Sequence, residues 1–353
     1  MSTSAIYHHL VPQTYMRSWK HGKSSVYFVK QGEHELGESK NTKVIGGINN
    51  YHSIQAGSLN ATEQEYDIFF KIILDCYIVK IKDKELTNSE EMNNFFYDFD
   101  NWVIIDKLGN EISSIEKNSI KIEITSNYDK TIEEKWNVQY ESNWNTIKDN
   151  IIKAISDNAN STIISGIMRN DLIEFMVSME WRTKPYHPAF QNAWSIIKEN
   201  LIGNLLAYVQ IPEKNQPFPF ITTAEEEFKH YYFLNQFKKF FKGEGNIMEE
   251  VNMIVNDAYV ELLIAPEDGE FLTSDNPVCR FTNQDSKLEY VFPICPKIAC
   301  RIIKGKDSNL KDKYLISHIS KVTLSEYNNE LKNNCYNGYI LRVPDRSLYF
   351  SEE

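Results

Sequence analysis

Three short stretches hold the side chains best suited to chemistry. The first, HHLVPQTYMR at residues 8–17, sets His8 and His9 beside Gln13 and Arg17. An imidazole titrates near neutrality, so His9 suits general acid or base work. Adjacent residues point in different directions, so His8 and His9 do not normally face one target together. A helix cap with a hydrogen-bonded core histidine is the competing reading. The second stretch, EWRT at 180–183, closes an apolar helix before Lys184-Pro185. The planar fork of Arg182 suits a phosphate or carboxylate, and suits equally well the capping of helix carbonyls or a pair with Glu180. The third, FLTSDNPV at 271–278, lies between two strands. Ser, Asp, Asn and Pro build tight turns through side-chain to backbone bonds. Asp275 with Asn276 could also hold a divalent metal or position a water.

Other chemistries lack their residues. There is no P-loop, dinucleotide fingerprint, GxSxG elbow or HExxH, and Gly46-Gly47 reads as a turn rather than a phosphate cradle. Cys279, Cys295 and Cys300 have neither CxxC spacing nor a nearby His, which argues against structural zinc. The five cysteines, odd in number and sparse, fit a reduced cytoplasmic protein. A formal net charge of -11 argues against nucleic-acid binding by bulk charge and leaves room for a local basic groove. The N-terminal residues do not read as a secretory leader. No run approaches the roughly 20 apolar residues of a membrane span.

The elements that must position these residues follow from periodicity. The spacing predicts a short helix from about Pro12 to Trp19, a strand at Ser25–Val29 and a capped helix at Thr62–Cys76. Alternation over Asp100–Tyr128 predicts antiparallel strands. Helical patterns dominate from about Asn143 to Val255, including a segment at Ala189–Val209, and strands return beyond Tyr259. The aromatic runs at His230–Leu234 and Phe237–Phe241 sit at helical spacing, as core or as a subunit contact. The order implies an α+β fold: a helical middle packed on a mainly antiparallel sheet formed by N- and C-terminal strands. Residues 1–353 read as a single large domain, with a strand-rich insertion at about 78–140.

Taken in order, these pieces resemble the bacterial family called domain of unknown function 4238. HHLVPQTYMRSW resembles its HHxVPxxYLxxF signature, and LLIAPEDGEFLTSDNPV its F-x-TSDNPV stretch. KVIGGINNYHS, EWRT, VFPICPKIAC and LSEYNNELKNNCYNGYI resemble weaker segments, with Glu180 where a neutral residue is usual and Asn328 at the family's Asn. The resemblance implies a shared layout in which His9, Arg182 and Asp275, from three distant segments, converge on one pocket. The function expected from that set is hydrolysis of a phosphodiester in nucleic acid or a nucleotide, in an anti-phage or toxin-type effector. His9 then acts as general acid/base and Arg182 stabilises charge on the phosphoryl group. Asp275 orients the histidine or holds a divalent metal, and His8, Gln13, Arg17 and Asn276 bind substrate. The alternative is a non-catalytic binding or structural module in a multi-protein complex, or a homo-oligomer, in which the motifs stitch a helical layer to a sheet. A third reading is a nucleotide sensor or transferase that grips phosphate without cleaving it.

Overall fold

The computed structural model describes residues 7–32, 37–58, 61–183, 194–196, 198, 208–282, 288–305 and 309–351. The fold is α+β. Chain contacts separate two compact units. One comprises Met1–Asn49, Lys135–Ala193 and Lys239–Glu353; the other comprises Asn50–Glu134 and Trp194–Lys238. Part of the strand-rich insertion expected at 78–140 falls in the second unit, which begins earlier, at Asn50. Most of the expected helix at 189–209 lies outside the described residues. Among those described, no helix is long and apolar enough to cross a membrane.

Strands are numbered in chain order: β1 Tyr7–His9, β2 Ser25–Lys30, β3 Glu38–Asn41, β4 Gly47–Asn49, β5 Ile78–Ile81, β6 Lys84–Leu86, β7 Trp102–Ile105 and β8 Ile163–Ser165. They continue with β9 Ala258–Ile264, β10 Thr273–Ser274, β11 Cys279–Thr282, β12 Leu288–Cys295, β13 Ile298–Lys304, β14 Lys313–His318 and β15 Gly338–Leu341. The helices used below are α1 Gln13–Met16, α2 Glu63–Leu74, α3 Ser89–Asn94, α4 Ser114–Ser126, α5 Thr131–Lys135, α6 Trp144–Asp157 and α7 Arg169–Thr183. After them come α8 Ala224–Phe240, α9 Gly245–Asp257 and α10 Lys321–Asn333.

Among the described residues the first unit holds three sheets. β1 and β4 form a two-stranded ribbon, and β10-β15-β2-β3 form a four-stranded antiparallel sheet from the two ends of the chain. The largest sheet runs β11-β12-β13-β9-β14-β8, antiparallel except where β14 lies parallel to β9. Val29, Leu263, Phe271, Val291, Leu324 and Leu341 are among the residues of one core cluster, which joins the sheets to α10. That cluster accounts for the alternating patterns of the last hundred residues, since each strand buries one face.

In the second unit, α2 begins with a full capping box, Thr62 and Glu65 each bonding the other's backbone N–H. It buries Phe69, Phe70 and Ile73. The hairpin strands order as β6-β5-β7. The expected strand at 119–127 is a helix instead: Ser113 accepts the Glu116 N–H at 3.2 Å, and Ile120 and Ile124, one turn apart, are buried. The apolar alternation that suggested a strand comes from exposed Ile122, set between buried Ile120 and Ile124. Capping and the i, i+4 pair override it. The aromatic residues of α8 supply core: Phe233, Leu234 and Phe237 have no exposure. His230 is buried against Tyr51, Phe218 and Phe220 and donates Nε2–H to the Tyr51 carbonyl at 2.7 Å. Burial pulls its pKa down to about 4, so the ring stays neutral.

Candidate functional site

The stretches singled out in the sequence meet in the first unit. Pro12 opens α1, which carries Tyr15 and leads into Trp19. The Tyr15 hydroxyl lies 2.7 Å from the Thr273 hydroxyl and donates to the Pro293 carbonyl at 2.9 Å. The Trp19 indole N–H donates to the Phe271 carbonyl at 2.8 Å. The N-terminal motif therefore docks on the Phe271–Val278 segment through fully buried aromatics. Asn328 of α10 closes the same segment from the other side: its Oδ1 accepts the Leu272 N–H and its Nδ2 donates to the carbonyls of Glu270 and Tyr349.

The end of α7 is bound into this junction. Arg182, only 1% exposed, pairs through Nη1 with Glu141 at 2.9 Å and donates through Nη2 to the His9 carbonyl. Its guanidinium lies 5.0 Å from the centre of the Trp136 ring. Trp136 and Glu141 are the two ends of one π-helical turn, Trp136–Glu141, a rare geometry that sets both against the same arginine. The Thr183 hydroxyl donates to Asn276 Oδ1 at 2.8 Å, and Asn276 Nδ2 donates to the Asn334 carbonyl at 2.9 Å. Asp275 accepts the N–H groups of Tyr336 at 2.9 Å and Asn337 at 2.7 Å, pinning the turn between α10 and β15.

Beside the junction opens a cavity of about 670 Å³. Asp275, Thr183, Tyr336 and Asn337 form one part of its lining, and Leu10, Phe28 and Ile45 contribute apolar side chains. Lys30 and Lys40, from the neighbouring strands β2 and β3, bring positive charge to it. Lys40 lies 4.9 Å from the centre of the Phe28 ring and 2.6 Å from Glu38. Lys40, and Lys30 more weakly, hold the Glu38 carboxyl below its ordinary range. Burial pushes the Asp275 carboxyl above the usual aspartate range, against the opposing pull of the backbone N–H groups it accepts.

Gly46 and Gly47 also line the cavity, and both are needed as glycine. Gly46 has a φ of +63°, and its carbonyl accepts the Leu10 and Val11 N–H groups. Gly47 donates to the Tyr7 phenolic oxygen at 3.1 Å. A Cβ on Gly47 would lie 2.5 Å from Tyr7 Cε1 and 2.7 Å from the His8 carbonyl oxygen. Gly47→Ala should therefore cost roughly 1–3 kcal/mol through overpacking, read as a lowered midpoint in urea unfolding. A midpoint equal to the wild type's would show that the ribbon yields freely.

From residue 7 to residue 345 the chain matches the model of a family described as Protein of unknown function (DUF4238). The chain belongs to the DUF4238 family. No curated protein and no solved structure matches it.

In this DUF4238 protein the expected site residues fall into distinct places. His9 and Arg182 meet at the His9 backbone, since it is the histidine carbonyl that binds the arginine. The His9 ring, 8% exposed, packs edge-on against Tyr7 with centroids 5.0 Å apart, and Tyr7 lines the cavity. His8 is fully buried on the opposite face of β1, as the two-residue period of a strand requires. Asp275 lines the cavity directly. Asn276, 1% exposed, is taken up by Thr183 and Asn334. Gln13 and Arg17 bond each other on the outer side of α1 at 3.3 Å and do not line the cavity. Among the described residues Asp275 belongs to no cluster of three metal-ligating side chains. Glu180, where DUF4238 relatives were expected to carry a neutral residue, is held by Arg280, with contacts of 2.5 and 2.7 Å, so the extra charge is matched locally.

Sequence reasoning missed Tyr7, Lys30, Lys40 and Tyr336 as cavity residues, and Glu141 and Trp136 as partners of Arg182. Besides Asp275, the Gly46-Gly47 pair was a visible signal for the cavity, because two glycines flanked by apolar residues mark a close backbone approach.

Proposed function

We propose that this DUF4238 protein binds a nucleotide in the cavity beside Asp275. The observation that carries the reading is the make-up of the lining: two lysines, an apolar and aromatic wall, and a buried carboxylate in one recess of about 670 Å³. Ammonium groups attract a phosphate, Phe28 and Tyr7 offer ring surface to a base, and Asp275 keeps lone pairs for ribose hydroxyls beyond the N–H groups it already accepts. The volume is within the usual span of small-molecule sites, about 300–1,000 Å³. The excess negative charge of the whole chain is compatible with this, since only local donors are needed, and Lys40, 2.6 Å from Glu38, keeps further N–H donors on its ammonium.

The test is a calorimetric titration with adenosine 5′-monophosphate and, separately, adenosine. The nucleotide should bind at least tenfold more tightly than the nucleoside. Lys30→Glu/Lys40→Glu should bring the nucleotide down to the nucleoside's affinity, while shifting stability by less than about 1 kcal/mol because both lysines are near the surface. Equal affinities for nucleotide and nucleoside in the wild type would refute the proposal.

Phosphodiester hydrolysis is the second reading, favoured by one observation: the cavity contains a carboxyl, Asp275, whose pKa burial has raised. In that scheme a water oxygen forms the new bond to phosphorus as the P–O ester bond breaks, the departing ester oxygen takes the Asp275 proton, and the proton lost by the water restores Asp275 to its acid form. Release of product from linear or cyclic dinucleotides by the wild type, absent in Asp275→Asn, would support it. A wild type that binds nucleotide and leaves every such substrate intact would reduce the function to binding.

A further inference from the structure

A second recess, of about 510 Å³, lies wholly within the second unit and shares no residue with the Asp275 cavity. Its chemistry differs. Its charged lining side chains, Lys121 and Glu227, are of opposite sign, and Lys121 is paired with Asp100 at 2.7 Å. The rest of the lining is dominated by amides, aromatic rings and aliphatic groups.

The recess is built rather than incidental. Gly57 has a φ of +85° and donates its N–H to Asn93 Oδ1 at 2.7 Å, and Asn93 Nδ2 returns a bond to the Ser58 carbonyl at 3.2 Å. A Cβ on Gly57 would lie 3.2 Å from Phe96 Cδ1, so the backbone runs close against that ring. Phe96 is fixed in turn by Phe70 and Trp102, edge-on at centroid separations of 5.7 and 6.1 Å. On the facing segment, Gln55 donates to the Pro217 carbonyl, and Gln216 to the Ile211 carbonyl at 3.0 Å. These bonds use the amide nitrogens, and the Gln216 carbonyl oxygen makes no hydrogen bond among those of the described residues. Asn94 and Tyr97 complete the lining on the helix side, with Tyr97 61% exposed.

We infer that this recess is a binding site for an uncharged nucleoside, taken up by stacking of its base on Tyr97 and Phe96 and by pairing of its edge with amide side chains. Aromatic faces accept any base, and an amide presents a donor and an acceptor side by side, the pattern that matches a base edge such as that of adenine. A balanced, amide-rich lining selects against a phosphate, in contrast to the lysine-lined cavity of the first unit.

The experiment uses the full chain carrying Lys30→Glu/Lys40→Glu, so that the lysine-lined cavity is altered, with adenosine, guanosine, cytidine, uridine and glucose each titrated and followed by saturation-transfer NMR. At least one nucleoside should bind saturably, and Asn94→Ala/Tyr97→Ala, placed at exposed positions that leave the core intact, should weaken it at least tenfold. Absence of binding by all four nucleosides, or equal binding by the Asn94→Ala/Tyr97→Ala chain, would overturn the inference. Glucose binding as tightly as the nucleosides would also overturn it, since a sugar has no base edge. The nucleotide proposal is judged separately, by whether Lys30→Glu/Lys40→Glu weakens the binding of adenosine 5′-monophosphate, a readout that a nucleoside bound in this recess does not move.

Discussion

Arg182→Met should destabilise the protein by about 3–5 kcal/mol, the cost of leaving one member of a buried ion pair without its partner. Arg182 is 1% exposed, and its known contacts are with the protein itself: Glu141 at 2.9 Å, the His9 carbonyl and the Trp136 ring. Removing the cation strands Glu141 in a site 9% exposed and frees the ribbon that places Tyr7 at the cavity. Arg182→Lys keeps the charge and loses the fork, so it should fall between wild type and methionine. Arg182→Met/Glu141→Leu, which removes both charges, should recover much of the loss, because a well-packed apolar pair replaces an ion pair at little cost. Urea unfolding of the four proteins reads these outcomes. A phosphate-gripping arginine would give the opposite pattern, with Arg182→Met as stable as wild type and defective only with ligand. The single result that decides is whether the double substitution rescues stability.

Asp275→Ala should cost about 2–4 kcal/mol, since it orphans the buried N–H groups of Tyr336 and Asn337 at roughly 1–3 kcal/mol each, less the relief of not burying a carboxylate. The loss should also depend on pH. The folded-state pKa of Asp275 lies above its unfolded value, so its contribution is fully present below the ordinary aspartate pKa of about 3.9 and is lost as pH rises through the raised value. The gap in stability between wild type and Asp275→Asn, whose amide does not titrate, should therefore be larger in acid than at neutral pH. Unfolding curves at a series of pH values check this, and a gap that widens toward alkaline pH would mean that the N–H groups of Tyr336 and Asn337 outweigh burial.

How much of this was legible depended on how local each signal was. The Thr62–Glu65 capping box and the alternation of β9, β12 and β13 are encoded within a few residues and were read correctly, as was the α+β class. The helix at Ser114–Ser126 was misread because exposed Ile122 lies between buried Ile120 and Ile124, which gave a two-residue period, while the Ser113–Glu116 cap beside it went unused. The β1–β4 ribbon and β14 were invisible: strands of three to six residues take their identity from partners, Ile48 across from His8 and Val260 beside Tyr314, that the local pattern does not name. At the site, the motif residues were conspicuous by type, but their roles were set by neighbours. Arg182 has the fork to hold a phosphate, and Glu141, 41 residues earlier in the chain, occupies it. Asn276 has an amide to offer substrate, and Thr183 and Asn334 take it. Lys30 and Lys40 look like ordinary strand-end lysines until the sheet sets both beside Phe28.

The central claim, that the cavity beside Asp275 receives a nucleotide, is tested most directly by locating one. A crystal structure of the full chain soaked with adenosine 5′-monophosphate should show the phosphate within hydrogen-bond reach of the Lys30 or Lys40 ammonium and the ring against the Phe28–Tyr7 wall. A phosphate found away from both lysines, or a cavity left without nucleotide at saturating concentration, would contradict it.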